Sequence, residues 1–333
     1  MSKDPFEIIA KSHRDSARSA LAALGSAPIK TIDPVYGGAS GASIFRVEAG
    51  GERFLMRVEG PASPLLPRNP HRHACTHLAA DAGVAPAVHY LDETSGVVVT
   101  DFVEQRPLHS FPGGASALAR AVGDLLRRLQ TAPAFPQLVY YPDLLTRMLG
   151  RLREAGIFAS GLLDEHVARL ATIRAVLDRE TTSLVSSHND PHSGNILFDG
   201  ARLWLIDWEA AYRNHPLVDV AIALDNLAAS PDLEDALLGA WLGRRADEEI
   251  RAQLALVRPL TRLYYACFLL NAAATEPQAT AGDDLSSPSI GEFQQALLDG
   301  RLKPNTPKAM HRLGKMYLNG FLTGAPTPAL SVA

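Results

Sequence analysis

The stretch SHNDPHSGNILFDGARLWLIDWE, Ser187–Glu209, gathers two His, two Asn and an Asp within His188–Asn195 and sets Asp207 inside the apolar run Leu203–Trp208. NILF and ARLWLID are short apolar runs on either side of Asp199-Gly200, a favoured two-residue turn, so the segment predicts a β-hairpin. In a hairpin, the residue before the first strand and the residue ending the second lie side by side. That brings Asn195 and Asp207 together as a pair of oxygen ligands. One neutral amide and one carboxylate suit Mg²⁺, which keeps several waters and shares phosphate oxygens. Asp190, in a loop with Pro191 and Gly194, is expected to point into the same space, where a carboxylate not ligated to metal accepts a proton from a hydroxyl.

Upstream the texture is strand-rich. A helix is predicted over Asp4–Leu24, stopped by Gly25; then IKTIDPVYGG, ASIFRVEAGG and ERFLMRVEG read as an antiparallel meander punctuated by glycine pairs. HRHACTHLAADAG reads as one helix, and AVHYLDETSGVVVTDF as two strands about a turn at Thr94–Gly96. The turn Gly37–Ser43 lies between two strands, where backbone N–H groups of Gly37, Gly38, Ser40 and Gly41 are able to approach phosphates. Beyond Gln105 the pattern is helical, with helices expected over Ala115–Leu129, Pro142–Ala155, Leu162–Arg179, Leu217–Leu227, Leu233–Leu242, Asp247–Ala274 and Lys308–Leu322. Thr275–Ser289 reads as a loop. The fold class expected is α+β.

His188, Asn189, Asp190 and Asn195, followed by a hairpin ending in Asp207, resemble the signature of the protein-kinase-like superfamily. The likeness is closer to its small-molecule branch, the aminoglycoside phosphotransferase and choline/ethanolamine kinase families, and IDWE with Asn214 and Asp219 is choline-kinase-like. The resemblance implies a bilobal fold, with a nucleotide-binding antiparallel-sheet lobe over residues 1–103 and a helical lobe over 104–333 that carries the catalytic loop and acceptor site. It implies ATP and Mg²⁺ as cofactors, Asp190 as catalytic base, and Asn195 and Asp207 as metal ligands. Arg57 in FLMRV stands where kinases keep a phosphate-pairing Lys, and Asp101 and Val103 where backbone groups contact adenine. His188 and Asp219 take supporting roles, and His192 lies beside the base.

Three departures from the family pattern are visible. The helix region NPHRHACTHL offers His71, Arg72 and His73 but no acid for Arg57, so Glu59, on the same strand face, is the expected substitute. The acid that receives the acceptor's ammonium falls at Asn226, with Asp225 adjacent. The late helix supplies Tyr264, Tyr265 and Phe268 where choline kinases use tryptophans; Tyr265 and Phe268 are expected to face a bound cation. Glu209 either orients an Asn or Arg in the loop or receives a cationic substrate. The expected acceptor is a small cationic alcohol of choline or ethanolamine type, selected by the acidic side chains of Asp190, Glu209 and Asp225. An aminoglycoside or a thiamine-type alcohol, and a nucleotide-binding pseudokinase without turnover, are the alternatives.

The 333 residues carry a net charge of −4, which gives no general reason to expect nucleic acid or an anionic membrane as partner. Cys75 and Cys267 have neither disulfide-framework nor metal spacing and are expected to be buried thiols in a reducing compartment. MSKDPFEIIAKSHRDS lacks the apolar centre of a signal peptide, and no apolar run approaches the ~18 residues of a membrane span. A cytoplasmic location is the expectation.

Overall fold

The computed structural model describes residues 4–25, 27–35, 41–60, 68–179, 182–274 and 284–328. The expected N-terminal helix is interrupted: 3-10 turns at Pro5–Ile8 and Lys11–His13 precede α1 (Arg14–Ala22), because Ile9 and Ala10 adopt extended backbone between them. There follow β1 (Ile29–Val35), β2 (Ser43–Ala49), β3 (Glu52–Val58), α2 (Arg72–Asp81), β4 (Val88–Asp92) and β5 (Val97–Asp101). They form one antiparallel sheet in the order β1-β2-β3-β5-β4. Ala49 pairs with Glu52 across Gly50-Gly51, whose φ values of +61° and +86° are those of the two-residue turn that matches strand twist. Val47, Met56, Val58, Val97 and Val99 share one buried cluster with Phe6, Ile9, Ala17 and Leu21. The period of two therefore turns Arg57 to the opposite face of β3.

The chain continues through α3 (Gly114–Gln130), α4 (Tyr141–Glu154), α5 (Asp164–Leu177), β6 (Val185–Ser187), β7 (Ile196–Phe198), β8 (Leu203–Leu205), β9 (Tyr212–Asn214), α6 (Leu217–Leu227), α7 (Pro231–Leu242), α8 (Glu248–Ala273), α9 (Ile290–Leu298) and α10 (Pro307–Thr323). The expected hairpin is β7–β8, but its connection is longer than two residues. Phe198 pairs with Leu203, leaving Asp199–Arg202 as a four-residue loop. Asp199 Oδ1 accepts from the amides of Ala201 (2.7 Å) and Arg202 (2.8 Å), which closes the wider turn that Asp-Gly alone would have made in two residues. Of the expected loop Thr275–Ser289, residues 275–283 lie outside the described residues; α9 begins directly after Ser289 and had no counterpart in the sequence reading.

The chain divides into two compact units, one made of Met1–Phe111 with Ile196–Ala211 and the other of Pro112–Asn195 with Tyr212–Ala333. The expected lobe boundary at 103/104 is a single cut, whereas this division is discontinuous: the β7–β8 hairpin groups with the sheet, held by Arg106 N donating to Phe198 O (2.7 Å) and Leu205 N to Val84 O (2.8 Å). Among the described residues no helix is long and apolar enough to cross a membrane.

Candidate active site

In the helical unit, β6 pairs antiparallel with β9, Val185 opposite Asn214 and Ser187 opposite Tyr212, and the loop 188–195 leaves from the end of β6. Asp219, fully buried in the first turn of α6, accepts from the backbone N–H groups of His188 (2.9 Å) and Asn189 (2.7 Å). Asn189 has φ +64°, a conformation Asn tolerates better than most residues, and its side chain holds it there. Its Nδ2 donates to Tyr212 O (3.3 Å), and its Oδ1 accepts from Asn214 Nδ2 (2.7 Å). The loop backbone is thus tied at consecutive residues to β9 and α6.

Asp190 follows directly. Its Oδ1 accepts from the Tyr265 hydroxyl at 2.6 Å, and its Oδ2 from Asn195 Nδ2 at 3.2 Å. The same Nδ2 donates to Asp190 O at 3.0 Å. Because both bonds use the amide nitrogen, Asn195 has its carbonyl oxygen left to offer a cation. His192 Nδ1 accepts from Gly194 N (3.0 Å), so the ring proton belongs on Nε2, which lies 3.7 Å from Asp190 Oδ2.

In the sheet unit, Arg57 donates from Nη1 to Asp207 Oδ1 (3.2 Å) and from Nη2 to Glu209 Oε1. Asp207 has φ +66°, a second strained non-glycine position next to a proposed functional side chain. Its Oδ2 meets no partner among the described residues. The Glu209 carboxylate is thus engaged by Arg57 of strand β3, not by an Asn or Arg of the loop. Glu59 does not hold Arg57. It lies 9% exposed and accepts from Arg72 Nε (2.7 Å) and Nη2 (2.8 Å), with Arg68 at 3.1 Å and His73 at 3.0 Å. Burial alone would raise its carboxyl, but Arg72, His73 and Arg68 hold it below its ordinary value. The strand–helix ion pair is present with its signs exchanged: the strand supplies the acid and α2 the cation. That inversion was legible in Arg72 and His73 had an acid not been sought there.

The expected acceptor residues fare unevenly. Asp225 is 8% exposed at its side chain and is enclosed by Arg258 Nε (2.5 Å) and Arg262 Nε (2.8 Å) and Nη2 (3.0 Å), so it has no charge to spare for a ligand. Arg258 and Arg262, one turn apart on α8, carried the signal for this cluster. Tyr265 is 5% exposed, and its hydroxyl is directed to Asp190. Its ring packs among Tyr264 and Tyr317 and is not a wall for a cation. Phe268 is half-buried, stacked with Tyr264 at 6.4 Å between ring centroids. At the expected adenine contacts, the Asp101 amide donates to Ala87 O (3.0 Å) and its carbonyl accepts from the Thr100 hydroxyl (3.3 Å); Val103 follows in irregular backbone after β5. Gly37, Gly38 and Ser40 lie outside the described residues, whereas Gly41 is described with φ +67°.

Residues 31–255 match the "Phosphotransferase enzyme family". Protein LicA of Haemophilus influenzae is 24% identical over 195 residues, 57% of this chain and 57% of that protein, so the chain spans little more than half of that relative. Among solved structures, a choline/ethanolamine kinase family protein from Mesorhizobium loti aligns with TM-score 0.66 and 20% identity over 96% of both chains. Choline kinase LicA from Streptococcus pneumoniae aligns with TM-score 0.59 and 14% identity over 85% of this chain and 97% of its own; LicA has also been solved in complex with AMP. The fold is the protein-kinase-like one.

Proposed function

The chain belongs to the phosphotransferase enzyme family, and from that premise we propose that it transfers the γ-phosphoryl group of ATP to the hydroxyl of a small cationic alcohol of choline or ethanolamine type, with Mg²⁺. In this reading residues 1–103 belong to the nucleotide lobe, with the β7–β8 hairpin grouped with them, and the acceptor lobe is drawn from the rest of 104–333. The observation that carries the reading is Asp190. It is a carboxylate on a loop pinned by Asp219 and Asn214, and donors engage each of its oxygens without neutralising it.

Asp190 takes the proton of the acceptor hydroxyl as that oxygen forms its bond to the γ-phosphorus. The bond from that phosphorus to the β–γ bridging oxygen breaks, and ADP leaves with the electron pair. Asn195 through its carbonyl oxygen and Asp207 through its carboxylate each offer a hard oxygen of the kind Mg²⁺ takes while keeping waters, and are the residues that would hold it. The ion would supply charge neutralisation to the phosphoryl group being transferred. Arg57 is the cation that would pair with the phosphates, and the Gly37–Ser43 segment, with Gly37, Gly38, Ser40 and Gly41, is the one proposed to contact them. The Asp101 carbonyl and Val103 amide meet the adenine edge. The half-buried Tyr264 and Phe268 rings are the surfaces that favour a cationic acceptor.

The Asp190→Asn protein tests this. Turnover should fall by roughly 10²-fold or more, while nucleotide affinity measured by calorimetry stays at the wild-type value, since the base touches the acceptor and not the nucleotide. Substantial residual turnover would remove Asp190 from the chemistry.

A further inference from the structure

We propose that the Tyr265 hydroxyl positions the Asp190 carboxylate, making α8 the source of a positioning residue for the transfer step; the inference rests on Asp190 being the base. Tyr265 donates to Asp190 Oδ1 at 2.6 Å, while Asn195 donates to Oδ2 at 3.2 Å. Donors to both oxygens fix the plane of the carboxylate.

The tyrosine is itself fixed. Its ring meets Tyr264 edge-on at 5.4 Å and Tyr317 at 5.6 Å, and the Tyr317 hydroxyl is tethered by donating to Pro328 O at 2.9 Å. With the ring 5% exposed, the hydroxyl has little freedom to swing off the carboxylate. Burial, reinforced by the Asp190 charge, raises the Tyr265 phenol well above its ordinary value. It therefore remains a donor and does not compete for the acceptor's proton. Positioning of this kind matters because a misplacement of about 1 Å at a reacting group costs on the order of 10²-fold in rate.

Tyr265→Phe in the full chain is the test, because it keeps the ring and removes only the hydroxyl. Positioning predicts a fall in kcat of roughly tenfold to hundredfold, with the KM for alcohol and for ATP unchanged. A ring that contacts the acceptor predicts a neutral Tyr265→Phe and a raised alcohol KM in Tyr265→Leu; that pattern, or wild-type kcat in Tyr265→Phe, overturns the proposal. The Asp190→Asn protein separates the two levels of inference. If it turns over, the reading of the base fails. If it is inactive while Tyr265→Phe is fully active, only the role of Tyr265 fails.

Discussion

Asp219 shows how one buried acid sets a loop. It offers its two oxygens to consecutive backbone amides, and its removal forfeits both of those buried bonds. Asp219→Ala should therefore destabilise the protein by about 2–4 kcal/mol, measured by urea unfolding. The size of that loss depends on pH. Burial pushes the Asp219 carboxyl up to about 7, against the two amides that lower it. With the folded value above the unfolded one, the native state holds the extra proton between roughly pH 4 and pH 7. The stabilising contribution is complete below that window and is lost as pH rises through it. Wild type should exceed Asp219→Ala by more at about pH 5 than at about pH 8, and an equal difference would contradict the assignment. At this scale the sequence was informative where contacts are local. Asp190 and Asn195 are five residues apart in one loop, and their contact follows from that spacing. Tyr265 reaches Asp190 across 75 positions of chain, and the apolar pattern of α8 carries no sign of which tyrosine hydroxyl points where.

Among the elements, α3 and α7 meet closely enough that a Cβ on Gly123 would run into the Leu237 carbonyl and contact the Ala240 methyl at 3.0 Å. The obstacle is helix backbone, which cannot swing aside as a side chain can. Gly123→Ala should cost about 1–3 kcal/mol despite alanine's better helix propensity, read as a lowered urea midpoint; a stabilised protein would show that the two helices separate readily. Strands β1 to β5, the hairpin and the main helices were legible because alternation of two and periodicity near 3.6 are properties of the chain itself. The connection in β7–β8 departs from a two-residue turn for a different reason. Asp199 closes a four-residue loop through its own side chain, and that competes with the two-residue turn an Asp-Gly pair favours. The broken N-terminal helix follows from two extended residues, Ile9 and Ala10, inside an otherwise helical apolar pattern.

For the molecule as a whole, the acidic constellation anticipated for a cationic acceptor is neutralised internally: Asp225 by Arg258 and Arg262, Glu209 by Arg57. Charged pairs formed across long sequence separations escape any count of net charge, which is why −4 overall said so little about the site. In the proposed reading, selection of a cation would fall to Asp190 and the Tyr264–Phe268 surface, where aromatic faces would contribute roughly 0.5–2 kcal/mol toward a quaternary ammonium. Cationic amino alcohols should be phosphorylated better than neutral sugars of similar size, and equal rates would remove the aromatic surface from substrate choice. The central claim is phosphoryl transfer, and phosphorus NMR of the intact chain with ATP, Mg²⁺ and choline or ethanolamine tests it most directly. Wild type should give a new phosphomonoester resonance growing in step with ADP, and Asp190→Asn neither. Nucleotide binding without any phosphomonoester, across amino alcohols, aminoglycosides and thiamine alike, would contradict it.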